Sequence, residues 1–215
     1  MDVFECIRTR RSIRRYKSSP VEWEKIGRIL EAGKAAPSAG NLQNWKFIVI
    51  LDPAVRKRIA EICLKQEWMA EAPVHIIIVA EPEKGKWFYG LRGEKLYTVQ
   101  GCSAAAQNML LAAHSLGLGS CWVGAFDEES LRSAVFMPQE VRPQAVITIG
   151  YPDEVVPEPP EFTLENVMFF RNYGGQPHRI KELNEYTVDW GQSLDNTLRK
   201  GVNKLRDLKK RLQKK

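Results

Sequence analysis

The 215-residue chain predicts an α+β fold in three layers, with helices on both faces of a central sheet. Short apolar runs bounded by turn residues, Phe47 to Leu51, Val74 to Ala80, Cys121 to Val123 and Ala145 to Ile149, have the length and β-branched content of buried strands. The segments between them repeat apolar residues at three- and four-residue spacing, which is the helical period. Helices that alternate with four short strands fit a layered α+β domain.

Residues 2 to 10 read as a short helix with Val3, Phe4 and Ile7 on one face. Ser19-Pro20-Val21-Glu22 supplies an N-cap serine, an N1 proline and a capping-box glutamate for a second helix, whose stripe is Ile26, Ile29, Leu30 and Gly33. Pro37 ends it. After the first strand, Asp52-Pro53 caps a helix with Val55, Ile59, Ile62 and Cys63 inward. The second strand leads into a Gly/aromatic loop through Trp87, Phe88 and Tyr89, and the longest helix runs from about Lys95 to Leu116. Asp127 caps the next helix, with Phe126 placed to staple onto Leu131. Gly117-x-Gly119 closes a helix and enters a strand, the reverse of a dinucleotide fingerprint, so it reads as a helix C-cap.

Composition narrows the function classes. No run approaches the ~18 apolar residues of a membrane span, and the start lacks a signal-peptide apolar block, so a soluble, cytoplasmic protein is expected. Cys6, Cys63, Cys102 and Cys121 are widely spaced in apolar contexts and read as reduced core thiols. His75, His114 and His178 lie far apart, and no metal site is expected. The net charge of +6 belongs to the tail: residues 199 to 215 hold nine basic side chains and one acid, leaving 23 basic and 25 acidic residues elsewhere. From Leu194 to Leu212, Leu194, Leu198, Val202, Leu205, Leu208 and Leu212 form an amphipathic basic pattern interrupted by Gly201. Three readings of it stay open: a docked extra helix, a contact with an anionic surface or nucleic acid, and a solubilising tail. The expected organisation is one domain over residues 1–190 and this tail over 191–215.

Two segments carry chemistry. Arg8-Thr9-Arg10-Arg11-Ser12-Ile13-Arg14-Arg15 puts five arginines and two hydroxyls where a helix gives way to extended chain. Guanidinium forks and hydroxyl donors suit a dianionic phosphate, although a solvated basic turn has the same composition. Pro37-Ser38-Ala39-Gly40-Asn41-Leu42-Gln43 follows the second helix. Its small residues let main chain approach a ligand closely, and its two amides can read a planar ring with alternating carbonyl and N–H groups. An ordinary helix-to-strand connection is the alternative.

Together these segments resemble the FMN-dependent nitroreductase family, with its Arg-Arg-Ser-x-Arg-x-aromatic loop and Pro-Ser-x-x-Asn-x-Gln-x-Trp turn. The resemblance continues through Ala104 to Ala113, Gly117 to Gly124, Val141-Arg142-Pro143 and Ile149-Gly150-Tyr151-Pro152. It implies a mostly antiparallel central sheet and a domain-crossed homodimer. It also implies bound FMN, NAD(P)H as co-substrate, and ping-pong hydride transfer to nitroaromatics, quinones or related acceptors. By carry-over, Arg10, Arg11 and Ser12 hold the phosphate and ribityl end, and Arg14 supports negative charge at the pyrimidine edge. Pro37, Ser38, Ala39, Asn41 and Gln43 border the ring from the other subunit, while Trp122, Val123 and Gly124 approach its N5 side. No side chain is assigned as nucleophile or acid–base catalyst. The chain departs from the family at Pro159-Pro160-Glu161-Phe162, where a further phosphate-binding Lys or Arg is usual: either Arg171 or Arg179 substitutes, or the N-terminal arginines hold the phosphate alone. A flavin-storage or sensing module, a flavin-fragmenting enzyme on this scaffold and a basic-tailed nucleic-acid binder are the rival readings.

Overall fold

The computed structural model describes residues 1–169 and 171–175, which fall into two units, Met1–Pro157 and the chain from Glu158 onward. In the first unit, α1 (Val3–Thr9) is capped by the Asp2 carboxylate, which accepts the Glu5 amide at 2.9 Å. Its buried side chain is Cys6, while the apolar face of Val3, Phe4 and Ile7 is exposed. The next helix, α2 (Trp23–Lys34), starts later than Ser19 implies: Glu22 holds the N-cap position without a side-chain capping bond. Val21 is buried and the Glu22 carboxylate accepts the Tyr151 hydroxyl at 2.8 Å, so long-range packing keeps this stretch extended.

β1 (Trp45–Ile50), β2 (Val74–Ala80), β3 (Gly119–Val123) and β4 (Arg142–Gly150) form one sheet in the order β1-β2-β4-β3, with every neighbouring pair antiparallel. Every residue of β2 is buried because helices cover both faces of the sheet. On one face Val74, Ile76, Ile78, Ala145, Ile147 and Ile149 pack with α2 and α5 (Thr98–Ser115). On the other, Ile77, Val79 and Val146 pack with α3 (Pro53–Ile62) and α6 (Glu128–Ala134). Two-residue alternation thus sends each strand into two cores, and each fully buried Ile or Leu contributes about 1.5–3 kcal/mol. Gln144 is an extra residue on β4, beside Pro143, which has no N–H for the ladder.

Three capping expectations hold. Asp52 accepts from the Ala54 and Val55 amides, and Asp127 accepts from Ser130, with Phe126 and Leu131 in one apolar cluster. Gly117, at φ +77°, ends α5: its N–H donates to the His114 carbonyl and that of Leu118 to Ala113, the Schellman pattern.

The aromatic loop expected at Trp87 to Tyr89 is instead part of α4 (Pro82–Arg92), broken only at Tyr89 and Gly90, where Gly90 has φ +58°. Pro82 opens that helix at N1, and the chain then folds back through a π-helical turn, Gly93–Tyr97, before α5. A Cβ on Gly93 would run into the Gly85 carbonyl, so two bare glycines make this return path. In the second unit an extended stretch leads to α7 (Leu164–Val167). Arg171 is exposed there, whereas Arg179 and the basic pattern from Leu194 to Leu212 lie outside the described residues. Among the described residues no helix is long and apolar enough to cross a membrane.

Candidate functional site

The arginine loop runs alongside β3. Ser12 pairs with Ser120 in a parallel bridge, and the Ile13 amide donates to the Ser120 carbonyl at 3.0 Å. Ile13 is the buried anchor and lies over the bare Cα of Gly119, where a Cβ would meet three Ile13 atoms at 2.9 Å. The Arg11 guanidinium donates to the Arg8 and Arg10 carbonyls at 2.7 and 2.9 Å, so Arg11 shapes the loop that carries it. Cys6 donates to the Leu111 carbonyl, and Thr9 meets His114 at 2.8 Å, which fastens this end of α1 to the last turns of α5.

The loop makes a positive field that neighbouring groups register. Burial, and then the charges of Arg10 and Arg11, pull the His114 imidazole below its ordinary value. Burial pushes the Cys121 thiol up, while Arg14, a Ser12 hydrogen bond and Arg10 oppose that shift. A protonated Cys121 thiol is no ready nucleophile. A dianion placed against the loop would meet a surplus of donors.

The Ser38–Gln43 turn is built differently. Gly40 has φ +55°, and Asn41 and Gln43 have φ of +56° and +48°, unusual for residues with side chains. Ser38 holds it, its hydroxyl accepting the Gln43 amide at 3.0 Å and its carbonyl the Asn41 amide at 3.0 Å. The Gln43 Nε2 donates to the Asn41 Oδ1 at 3.0 Å, which aligns the two amides. A Cβ on Gly40 would collide with the Tyr89 hydroxyl, so α4 buttresses this turn. Pro37 and Ala39 lead into it from the end of α2.

Trp122 is 37 % exposed although its strand neighbours Cys121 and Val123 are 2 % and 3 % exposed. Its register with Ile147 turns it toward the α5 side of the sheet. Gly124 follows, open to approach, with the Trp122 Nε1 3.5 Å from where its Cβ would be.

One chain does not bring these parts together. Gly101, early in α5, packs near Ser38, whereas the arginine loop is fastened at Leu111 and His114, about 15 Å along the helix at 1.5 Å per residue. In the sheet, the turn enters β1 and the loop flanks β3, on opposite edges and roughly 14 Å apart at the usual strand spacing. Arg10, Arg11, Ser12 and Arg14 cluster beside β3, the strand of Trp122 and Val123. Pro37, Ser38, Ala39, Asn41 and Gln43 form a separate half.

The sequence model of the nitroreductase family matches residues 7–67 and 63–151. The chain belongs to the nitroreductase family. A Methanothermobacter thermautotrophicus protein with the provisional name NADH dehydrogenase/NAD(P)H nitroreductase is 40 % identical over 158 residues, 72 % of this chain and 79 % of that one. The FMN reductase (NAD(P)H) of Bacillus subtilis is 28 % identical over 198 residues, covering 86 % and 80 % of the two chains. Among solved structures, an FMN-dependent nitroreductase from Clostridium difficile superposes with a TM-score of 0.69 at 30 % identity, over 79 % of this chain and 99 % of that chain. The nitroreductase fold accounts for the antiparallel order and the two covering layers. Three features of this family member were not foreseen: Glu154 on the arginine loop, Tyr89 on Gly40, and His114 on Thr9. Each joins residues far apart in sequence, so local pattern carries no trace of it.

Proposed function

We propose that this chain is an FMN-dependent oxidoreductase that uses NAD(P)H to reduce quinones, nitroaromatics or related acceptors, at sites each completed by two copies of the chain. The observation that supports this reading is the separation of the two ligand-suited segments to opposite ends of α5 and opposite edges of the sheet. A two-fold pair of chains can set the loop of one copy against the turn of the other, and it does so twice. The names of the relatives, FMN reductase and FMN-dependent nitroreductase, supply the cofactor class.

The residues present fit that cofactor. Arg10 and Ser12 suit the phosphate, with Arg11 holding the loop in shape. Asn41 and Gln43 suit the ring edge, and the exposed face of Trp122 suits an aromatic neighbour. FMN, when bound, supplies the hydride chemistry between nicotinamide and acceptor. The protein's share is to bind and orient, and to place the Arg14 cation where negative charge collects. Solvent delivers the accompanying protons, so no cysteine or histidine is required as catalyst.

The full chain, purified and supplemented with flavins, should retain about one FMN per chain and no FAD, sediment as a dimer, and oxidise NADH or NADPH when a quinone is present. Retention of FAD, or a flavin-loaded monomer at micromolar concentration, refutes the reading.

A further inference from the structure

We infer that Glu154 is a positioning residue for Arg14: its carboxylate, seated on the main-chain amides of Arg14 and Arg15, fixes where the Arg14 side chain leaves the loop. The inference rests on the FMN reading above. Backbone from Ile13 to Lys17 is fastened along most of its length. The Ile13 amide goes to Ser120, the Arg15 carbonyl accepts from Asp153 at 3.0 Å, Tyr16 bridges Pro152, and the Lys17 amide donates to Tyr151 at 2.9 Å. The Tyr16 hydroxyl donates to the Ile13 carbonyl at 2.6 Å and sits 2.8 Å from the Thr148 hydroxyl. The amides of Arg14 and Arg15 go to neither strand. Both donate to one oxygen, Oε1 of Glu154, at 2.5 and 3.1 Å.

Two consecutive N–H groups converge on one carboxylate oxygen, and a charged acceptor makes such bonds about twice as strong as neutral ones. The carboxylate comes from 140 residues further along the chain, just after β4, so it ties the loop to the sheet. With its backbone set, the Arg14 guanidinium carbon lies 5.8 Å from the Trp68 ring centroid, and Trp68 itself packs against the cluster of Ile13 and Tyr16. Glu154 and Arg14 act with opposite sign on Tyr16 and Cys121, which places the two charges in one neighbourhood. Glu154 thus ties the loop to the chain after β4 through these two main-chain bonds.

The test compares Glu154→Ala, Glu154→Gln and Arg14→Ala with the Arg14→Ala/Glu154→Ala double variant. FMN affinity of the apoprotein is read by quenching of flavin fluorescence, and the midpoint potential of the bound flavin by dye equilibration. Glu154→Ala should weaken FMN binding by about tenfold or more and lower the potential, as Arg14→Ala does. Glu154→Gln keeps an oxygen acceptor for both amides and should stay within about threefold of the parent. In the Arg14→Ala background, removing Glu154 should cost little more, because it acts through Arg14. Full additivity, or parent-like affinity and potential in Glu154→Ala, overturns the inference. If Glu154→Ala does not fold, Glu154→Asp takes its place in every comparison, since its shorter side chain draws the shared oxygen back from both amides. A parent chain that takes up no FMN sinks the FMN reading itself, and this inference with it.

Discussion

Gly119→Ala tests how tightly the arginine loop is pressed against β3. A Cβ at Gly119 would lie 2.9 Å from Cβ, Cγ1 and Cγ2 of Ile13, whereas carbon atoms settle at about 3.5–4.0 Å. Rotating χ1 cannot relieve the contact because the Ile13 Cβ is one of the three atoms, and a β-branched side chain has few rotamers to offer. The loop backbone must therefore retreat by roughly 0.6–1 Å, which strains the Ile13 bond to Ser120 and the Ser12–Ser120 bridge. Overpacking of this kind costs about 1–3 kcal/mol. Urea unfolding of the apoprotein should show that loss, and FMN titration should show affinity reduced by about tenfold, because the retreating segment carries Arg10 and Ser12. Gly117→Ala is the control. It forces alanine to φ +77° at the end of α5 and should cost about 1 kcal/mol of stability with little effect on FMN. If Gly119→Ala keeps both stability and FMN affinity, Ile13 does not set the loop's position.

Three further outcomes follow from the same geometry. Burial holds the His75 imidazole down to about 4 from its ordinary 6.5, so the unfolded chain takes up the proton first as pH falls. The stability contributed by neutral His75 is complete above about pH 6.5 and is lost between there and about pH 4, roughly 3 kcal/mol in all. Urea unfolding at pH 7 and pH 5 should register this, and an equally steep pH dependence in His75→Gln would refute it. Arg10→Ala should weaken FMN binding by about 1.5–3 kcal/mol, the usual value of a hydrogen bond to a charged group; unchanged affinity by fluorescence titration would remove it from the site. Cys121→Ala, matched for flavin content, should keep NAD(P)H-dependent quinone reduction within about tenfold of the parent. A loss of several orders of magnitude would mean that the thiol takes part.

Signals that act within a few residues were legible before the fold was known. Asp52, Asp127 with Phe126, and the glycine after α5 each work over one turn, so sequence spacing specifies their geometry. Signals that depend on distant partners were not. Ser19 satisfies every local rule for an N-cap, yet Tyr151, 129 residues beyond Glu22, holds the next stretch extended. Trp87 and Phe88 are 86 % and 60 % exposed on a helix, so their apolar character said nothing about core or loop. The arginine loop and the 37–43 turn were legible as types of chemistry. Their placement at two ends of α5 came only with the strand order, and Glu154 only with the path of the chain after β4.

The division of ligand-suited residues between the two edges of the sheet also governs how damage is inherited by an assembly. In a pair of identical chains, a lesion in the arginine loop and one in the 37–43 turn spoil both pockets equally, whichever segment is struck. Place the two lesions on different chains and the pockets become unequal: one collects both defects, and the other is assembled entirely from intact segments. With pockets divided between copies as proposed, two individually inactive variants, one altered in each segment, should restore activity when co-expressed.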